Sequence, residues 1–284
     1  MARPKVKSRS LVLRMLVLLS LPIVQASATS IPHGTVDFVA EDQWITPGHK
    51  SYFGLHFQLQ EGWHIYWVNP GDSGQPPRAE WHFPKGFTAG EIEWPAPRRL
   101  GTSTIIDFGY DDAVTLLVPI RAAAFLQPNR PAQLSAELTV LVCREICIPG
   151  KAHMSLSIPI KSISPEQDAQ TRELFAAARR SMPLIAPADL QVRVSDRSDS
   201  FILGVILGRR VTQATFFPLE ESQIDNSAPQ KFQPSTTNFR LTLRKSDQLL
   251  KPIARLRGVL EVSANESYVI DVPVGNSMAV EKVQ

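Results

Sequence analysis

The segment Ser51–Leu59 reads SYFGLHFQL, and its pattern decides the class of fold. Phe53, Leu55 and Phe57 occupy every second position, and smaller or more polar residues lie between them. Successive side chains of a β-strand point to opposite faces of the sheet. The pattern therefore predicts a strand with one face buried in an apolar core.

Similar short segments recur along the rest of the chain. They are Val114–Ile120, Ala136–Val142, Met154–Ile160, Gln191–Val194, Phe201–Leu207, Ala214–Pro218, Phe239–Leu243, Gly258–Val262 and Tyr268–Val272. The 23 prolines of the chain keep most of these segments short. Short strands separated by turn residues predict an all-β protein built from sandwiches.

One segment interrupts the strands and divides the chain. Ser164-Pro165-Glu166-Gln167 predicts a helix over Pro165–Arg180, because it offers an N-cap serine, a first-turn proline and a glutamine three residues after the cap. We therefore expect two β-sandwich domains, 29–163 and 185–276, joined by a helical linker over 164–184. We also expect a long loop over 221–238 and a disordered tail over 277–284. The second domain has neither cysteine nor histidine, which favours a structural or docking module.

The first 28 residues have the three parts of a secretory signal. They are a basic start, the apolar run Leu11–Val24 and the small residues Ala26-Ser27-Ala28. We expect cleavage near Ala28, the alternative being an uncleaved membrane anchor. The chain has 30 Lys and Arg residues against 27 Asp and Glu, but five of the basic residues lie in this signal. The mature chain therefore has a slightly negative net charge, which gives no reason to expect a nucleic-acid partner.

The two cysteines lie in the segment Leu141-Val142-Cys143-Arg144-Glu145-Ile146-Cys147-Ile148-Pro149-Gly150. In a straight strand their Cα atoms would be about 13 Å apart, whereas a disulfide needs them within about 7 Å. If they pair, Arg144–Ile146 must form a tight loop after a strand. Closing a loop of about five residues stabilises a fold by only about 2 kcal/mol. So small a ring suits a bond that opens and closes, and the positive charge of Arg144 favours a thiolate.

Three functions are open on these residues alone. The first is thiol–disulfide exchange through Cys143 and Cys147. The second is a structural disulfide in a non-enzymatic exported adaptor, since most cysteine pairs of exported proteins are structural. The third is a Cu(I) site of a copper-tolerance system, because His153 and Met154 follow the cysteines and all four are soft or borderline ligands.

Four runs, in this order, resemble the periplasmic N-terminal domain of DsbD-type protein-disulfide reductases, most closely the ScsB-like branch. They are Gly62-Trp63-His64-Ile65-Tyr66-Trp67-Val68-Asn69-Pro70-Gly71-Asp72-Ser73-Gly74, Trp94-Pro95-Ala96-Pro97, Phe108-Gly109-Tyr110 and Val142–Gly150. The resemblance covers residues 34–163, and the second domain resembles the extra module of that branch more weakly. It implies an immunoglobulin-like sandwich and a periplasmic location, and it favours thiol–disulfide exchange.

The resemblance also implies roles and partners. Cys147 corresponds to the sulfur that forms the mixed disulfide with a partner, and Cys143 to the resolving sulfur. His64 and Tyr66 correspond to aromatic positions near the cysteines; the alternative is that they are aromatics without a chemical role. The implied electron donor is a membrane protein of the DsbD or CcdA type, and the acceptors are periplasmic thioredoxin-like proteins or disulfide isomerases. No cofactor is implied.

The sequence departs from the family in two respects and leaves a third point open. It shows neither a membrane domain nor a thioredoxin domain, so we expect the membrane donor to be a separate protein. The three residues between the cysteines make a shorter spacing than in the best-known N-terminal domain. A family loop caps the cysteines, and by position it should lie within Arg98–Tyr110. Candidates for its shielding residue are Leu100, Ile105, Ile106 and Phe108.

Overall fold

The computed structural model describes residues 28–101, 104–128 and 130–276. Within these ranges the chain is mostly β-strand with one α-helix, and it has the predicted all-β, immunoglobulin-like fold. Residues 1–27 of the predicted signal segment and the predicted tail 277–284 lie outside the described residues.

Residues 29–160, here called the N-terminal module, form two packed sheets. The strands are β1 (Thr29–Ile31), β2 (Gly34–Ala40), β3 (Lys50–Leu59), β4 (His64–Gly71), β5 (Arg78–His82), β6 (Phe87–Ala89), β7 (Arg98–Gly101), β8 (Ile106–Asp111), β9 (Ala113–Ala122), β10 (Ala132–Cys143) and β11 (Cys147–Ile158). One sheet has the order β1-β2-β3-β9-β6. The other has the order β11-β10-β4-β8-β7, and β5 also pairs with β10.

The core of this module lies between the two sheets. Phe53, Leu55 and Phe57 of β3 are fully buried, and they belong to one apolar cluster with Leu134 and Leu138 of β10. This confirms the strand predicted from the alternation in Ser51–Leu59. Each fully buried side chain of this size contributes about 1.5–3 kcal/mol to folding, so the core supplies most of the module's stability.

The helix predicted over Pro165–Arg180 is shorter than predicted. It is α1 (Arg172–Arg180), with Thr171 at the N-cap position. The residues before it run extended beside the chain after β2, where the Asp168 amide donates to the Glu41 carbonyl at 2.9 Å. The start predicted at Ser164-Pro165 was therefore wrong, because backbone pairing with a neighbouring segment outweighs a local capping signal.

Helix α1 packs on the N-terminal module. Phe175 and Ala178 are buried with Val39 and Leu117 on the outer face of the β1–β6 sheet. Arg179 donates to both carboxylate oxygens of Glu41, each at 2.6 Å. The predicted linker helix is thus fixed to the N-terminal module by a small apolar cluster and a bidentate ion pair.

Residues 184–276, here called the C-terminal module, form the second β-structure. The strands are β12 (Leu184–Ile185), β13 (Gln191–Asp196), β14 (Ser200–Ile206), β15 (Thr215–Pro218), β16 (Lys231–Pro234), β17 (Asn238–Arg244), β18 (Arg255–Ser263) and β19 (Glu266–Asn276). Their order is β15-β18-β19-β13-β14-β17-β16, and β12 also pairs with β19. The six strands predicted in this region are confirmed.

Strand β16 corrects the loop predicted over 221–238. It is short and polar apart from Phe232, so its sequence carries almost no alternation. Phe232 packs against Phe239 of β17 with ring centroids 5.3 Å apart, and the two strands pair in an antiparallel ladder. Pairing with a strong neighbouring strand, rather than the segment's own pattern, makes it a strand.

The two modules touch through apolar side chains. Phe217 of β15 and Val259 of β18 belong to the apolar cluster of the N-terminal module. The ring of Phe217 meets Phe108 of β8 edge to face, with centroids 5.3 Å apart. The division into domains at 164–184 stays a prediction, and these contacts lie on the surface that such domains would share.

Candidate redox site

The hairpin of β10 and β11 brings the two cysteines together. The ladder runs from Ala132 opposite Ile158 to Cys143 opposite Cys147, where the two Cα atoms are 4.1 Å apart. The sulfurs are joined in a disulfide. Arg144–Ile146 form the turn, closed by the Arg144 amide donating to the Ile146 carbonyl at 3.1 Å. The tight loop that pairing required is confirmed.

The two cysteines differ in exposure. Cys143 is 2% exposed, whereas Cys147 and the three residues of the turn are exposed. Ile146, at the tip of the turn, is 65% exposed. The two sulfurs therefore differ in access: an incoming sulfur can reach Cys147, whereas Cys143 is shielded.

His64 and Tyr66 project from β4 on the face opposite to the core residues Ile65 and Trp67. The Tyr66 hydroxyl lies 3.5 Å from the Cys147 sulfur. His64 lies opposite Cys143 in the strand ladder, and its ring contacts Tyr66 edge-on with centroids 5.2 Å apart. Of the four predicted site residues, Tyr66 thus touches the exposed sulfur, and His64 supports Tyr66.

Two further residues complete the site, and sequence reasoning did not assign them. Ser73 lies 3.4 Å from the Tyr66 hydroxyl, and its own hydroxyl donates to Asp107 at 2.8 Å. The second oxygen of the buried Asp107 carboxylate lies 3.6 Å from Nε2 of His64. Ser73 is the next-to-last residue of the Gly62–Gly74 run, and Asp107 lies in the predicted cap segment, but neither position by itself predicts a contact with Tyr66.

The protonation of Tyr66 follows from its surroundings. Burial raises the pKa of its phenol above the ordinary value of 10.0. The hydrogen bond with Ser73 lowers the pKa in part, and the negative charge of Asp107 raises it again. Tyr66 therefore keeps its proton at neutral pH and can donate a hydrogen bond to a sulfur.

The turn between Gly71 and Gly74 closes over Tyr66. Gly74 adopts a positive φ of 78°, and a Cβ placed there would lie 2.0 Å from Cζ of Tyr66. The backbone at this position thus packs directly against the phenol ring. Glycine is needed both for the left-handed conformation and for this close approach.

Arg144 is held beside the disulfide by aromatic side chains. Its guanidinium lies over the ring of Trp63, 5.5 Å from the ring centroid, and Trp63 is itself stacked on His33 with ring centroids 3.6 Å apart. A cation over an indole is attracted by the ring. The positive charge that the sequence placed next to Cys143 therefore has a defined position at the rim of the site.

The cap residue stays a prediction. Phe108 is fully buried against Phe217, so it cannot cover the disulfide and is removed from the candidates. Ile105 is exposed, and Leu100 and Ile106 are partly buried. Residues 102 and 103 of this segment lie outside the described residues.

The four ligands of the copper hypothesis do not meet. His153 and Met154 lie six and seven residues along β11 from Cys147, or about 20 Å away in an extended strand. His153 is on the surface and pairs with Glu137 at 2.6 Å, whereas Met154 is buried in the core. Among the described residues no group of three or more His, Cys, Asp and Glu side chains is placed to hold a metal ion.

Comparisons with known proteins found a family and a solved structure that this chain resembles. The model of the family described as "Thiol:disulfide interchange protein DsbD, N-terminal" matches residues 35–159. Among solved structures, the fold is similar to the N-terminal periplasmic domain of ScsB from Proteus mirabilis, with a TM-score of 0.64 and 18% sequence identity. That match covers 89% of this chain and 98% of the other. A search of curated proteins gave no significant match.

These findings assign the N-terminal module to a family. Residues 35–159 are an N-terminal domain of the DsbD family, a family of thiol–disulfide exchange proteins, and the paired cysteines lie within it. The structural match extends beyond these residues, so the C-terminal module shares its fold with the ScsB domain as well. No helix in the described ranges is long and apolar enough to cross a membrane.

Proposed function

We propose that this protein carries out thiol–disulfide exchange in the periplasm, passing two electrons from a membrane donor to thioredoxin-like partners. The observation that carries the proposal is the arrangement of the pair: an exposed Cys147 bonded to a buried Cys143, with the Tyr66 hydroxyl at the exposed sulfur. The family match over residues 35–159 supports the same chemistry.

The oxidised protein is reduced in two steps. A thiolate of the membrane donor attacks Cys147, which forms a mixed disulfide and expels Cys143 as a thiolate. A second donor sulfur then attacks the donor side of that bond and releases Cys147. The donor leaves as a disulfide, and the pair on this protein has gained two electrons.

The reduced protein passes the electrons on by the reverse order of events. The Cys147 thiolate attacks the disulfide of a thioredoxin-like partner and expels one partner sulfur. Cys143 then attacks Cys147, the intramolecular disulfide re-forms and the partner leaves as a dithiol. The buried position of Cys143, opposite Cys147 in the ladder, suits a resolving sulfur, because Cys143 is close to Cys147 and shielded from other partners.

The side chains around the pair favour the thiolate form. Exchange proceeds through the thiolate, and both a hydrogen-bond donor and a positive charge lower the pKa of a thiol. The Tyr66 hydroxyl is placed to donate to Cys147, and Arg144 supplies a positive charge next to Cys143. His64 fixes the edge of the Tyr66 ring and thereby the direction of its hydroxyl.

A purely structural disulfide is the competing function. The β10–β11 ladder already holds Cys143 opposite Cys147 through a run of backbone hydrogen bonds. A bond that closes so small a loop adds only about 2 kcal/mol. The bond is thus poorly placed as a staple, which favours exchange.

Trapping of mixed disulfides tests the proposal. Cys143→Ala should accumulate a stable mixed disulfide with a thioredoxin-like periplasmic protein, because the resolving sulfur is gone. Cys147→Ala should trap little, since its remaining sulfur is buried. The reverse pattern would exchange the roles of the two cysteines. No trapping by either variant, with a pair that resists reduction, would overturn the exchange function.

A further inference from the structure

The segment Asn69–Gly74, here called the tyrosine loop, determines how Tyr66 faces the disulfide. Gly74 packs directly against the Tyr66 ring, and the Ser73 hydroxyl lies 3.4 Å from the Tyr66 hydroxyl. Ser73 is itself held by Asp107 through both its amide and its hydroxyl. A displacement of this loop would therefore move or release the hydroxyl that lies 3.5 Å from Cys147.

The other side of the tyrosine loop is bound by the C-terminal module. The Asn69 side chain, 1% exposed, donates to the Pro218 carbonyl at 2.8 Å. Its oxygen accepts from the Gly71 amide at 3.0 Å, so one buried side chain joins the loop to β15. A buried amide that lost its partner would carry a full desolvation penalty, which makes this contact specific.

A second connection runs through Asp72. Its Oδ1 accepts from the Asn226 side chain at 2.9 Å, and its Oδ2 accepts from the Ile106 amide at 2.8 Å. Arg99 donates to the Asn226 carbonyl at 2.6 Å. The carboxylate thus holds the C-terminal module with one oxygen and the start of β8 with the other, next to Asp107.

We propose that the C-terminal module is a positioning element of the redox site, with Asn226 and the Pro218 carbonyl holding the tyrosine loop so that Tyr66 donates to Cys147. This inference rests on the proposed exchange function and assigns a role to a module without any cysteine or histidine. Asn226 touches neither sulfur and acts through Asp72 and the loop. Asn226 contributes through geometry, because it restricts the movement of the tyrosine loop, which packs against the Tyr66 ring.

The acidity of the attacking thiol is the direct readout. The pH midpoint for alkylation of Cys147 by iodoacetamide is measured on the full mature chain after reduction with dithiothreitol, so no partner is needed. Asn226→Ala should raise this midpoint, with a roughly threefold lower thiolate fraction at pH 7, because the hydrogen bond to the thiolate weakens. A midpoint reports acidity and is not changed by access of the reagent or by global stability.

Two controls separate positioning from folding. Asn238→Ala removes an exposed asparagine of the same module and should leave the midpoint unchanged. In a Tyr66→Phe background, Asn226→Ala should have no further effect, because the hydroxyl through which it acts is absent. If Asn226→Ala folds poorly, Asn226→Ser takes its place, since its hydroxyl is too short to reach Asp72.

The outcomes distinguish this inference from the exchange function. An unchanged midpoint in Asn226→Ala, or an equal shift with and without the Tyr66 hydroxyl, overturns the positioning role while trapping by Cys143→Ala still stands. A midpoint that shifts in Asn226→Ala but not in the Tyr66→Phe background supports the positioning role, whether or not either cysteine variant traps a partner. If the wild-type disulfide resists reduction, the phenol titration of Tyr66 decides: Asn226→Ala should lower its pKa towards 10.0, because the ring becomes less buried.

Discussion

The N-terminal and C-terminal modules are both built from paired β-strands around an apolar core, but they place their polar groups differently. Next to the disulfide, the N-terminal module buries His64, Tyr66 and Asp107 on the outer face of the β11-β10-β4-β8-β7 sheet. The C-terminal module, which lacks cysteine and histidine, presents an amide and a backbone carbonyl to its neighbour. The N-terminal module carries the reactive groups, and the C-terminal module contacts the loop beside them. Four experiments compare the two modules directly.

The largest difference should come from glycine substitutions. Gly74→Ala should cost about 2–4 kcal/mol, because a Cβ would lie 2.0 Å from Tyr66 in a left-handed backbone conformation. Gly204→Ala, on β14 with no atom within 4 Å of the new Cβ, should change stability by less than about 0.5 kcal/mol. All five tryptophans lie in the N-terminal module, so urea unfolding followed by tryptophan fluorescence reports that module alone.

For Gly204→Ala, far-UV circular dichroism follows the whole chain, because the C-terminal module has no tryptophan. Equal costs at the two glycines would contradict the close packing of the tyrosine loop on Tyr66.

Reduction of the disulfide should affect only the N-terminal module. We expect a loss of about 2 kcal/mol or less, because the closed loop is small and the β10–β11 ladder remains. The measurement is a pair of thermal unfolding curves, by tryptophan fluorescence and by circular dichroism, with and without dithiothreitol. Unfolding of the N-terminal module on reduction would show that the bond is structural.

A smaller difference is expected between the ion pair that fixes α1 to the N-terminal module and an ion pair of the C-terminal module. Arg179→Ala should cost about 1–2 kcal/mol, because Glu41 is buried and would lose both of its guanidinium hydrogen bonds. Arg255→Ala should cost less than about 1 kcal/mol, since its pair with Asp271 is on the surface. Urea midpoints of the two variants test this, and a larger loss for Arg255→Ala would contradict it.

The smallest effect should be a dependence on mild acid that only the N-terminal module shows. Burial lowers the pKa of His56 below 6.5, against the opposing charge of Asp37. The unfolded chain then binds more protons than the folded one, so this stabilisation is present above pH 6.5 and is lost as the pH falls through the folded pKa. The tryptophan-detected melting temperature should fall slightly between pH 7 and about pH 5.5.

His56→Gln should remove this slope, and the C-terminal module, without histidine, should show none in the same range. Burial also raises the pKa of Asp37, and this acts in the opposite direction, because the folded chain then binds more protons than the unfolded one. A slope that persists in His56→Gln would assign the effect to another group.

Much of the fold could be predicted because local patterns and final structure agree. The alternation in β3, β10 and β11 survives in the structure, since each strand has one face in the core. Two predictions failed where pairing outweighed local signals. The capping signal at Ser164 was overridden by backbone hydrogen bonds near Glu41, and β16 forms only because β17 lies beside it.

The amino-acid sequence was enough to predict the β-class of the fold, the need for a turn between Cys143 and Cys147, and, through the family resemblance, a place for Tyr66 near them. These follow from strand periodicity, chain geometry and short motifs, all of which are local. Three other features depend on how the folded strands pack: Asp107 and Ser73 join Tyr66, Met154 lies in the core, and Asn226 reaches Asp72. Asp72 and Asn226 are 154 residues apart in the chain, and only the packing of two modules brings them together.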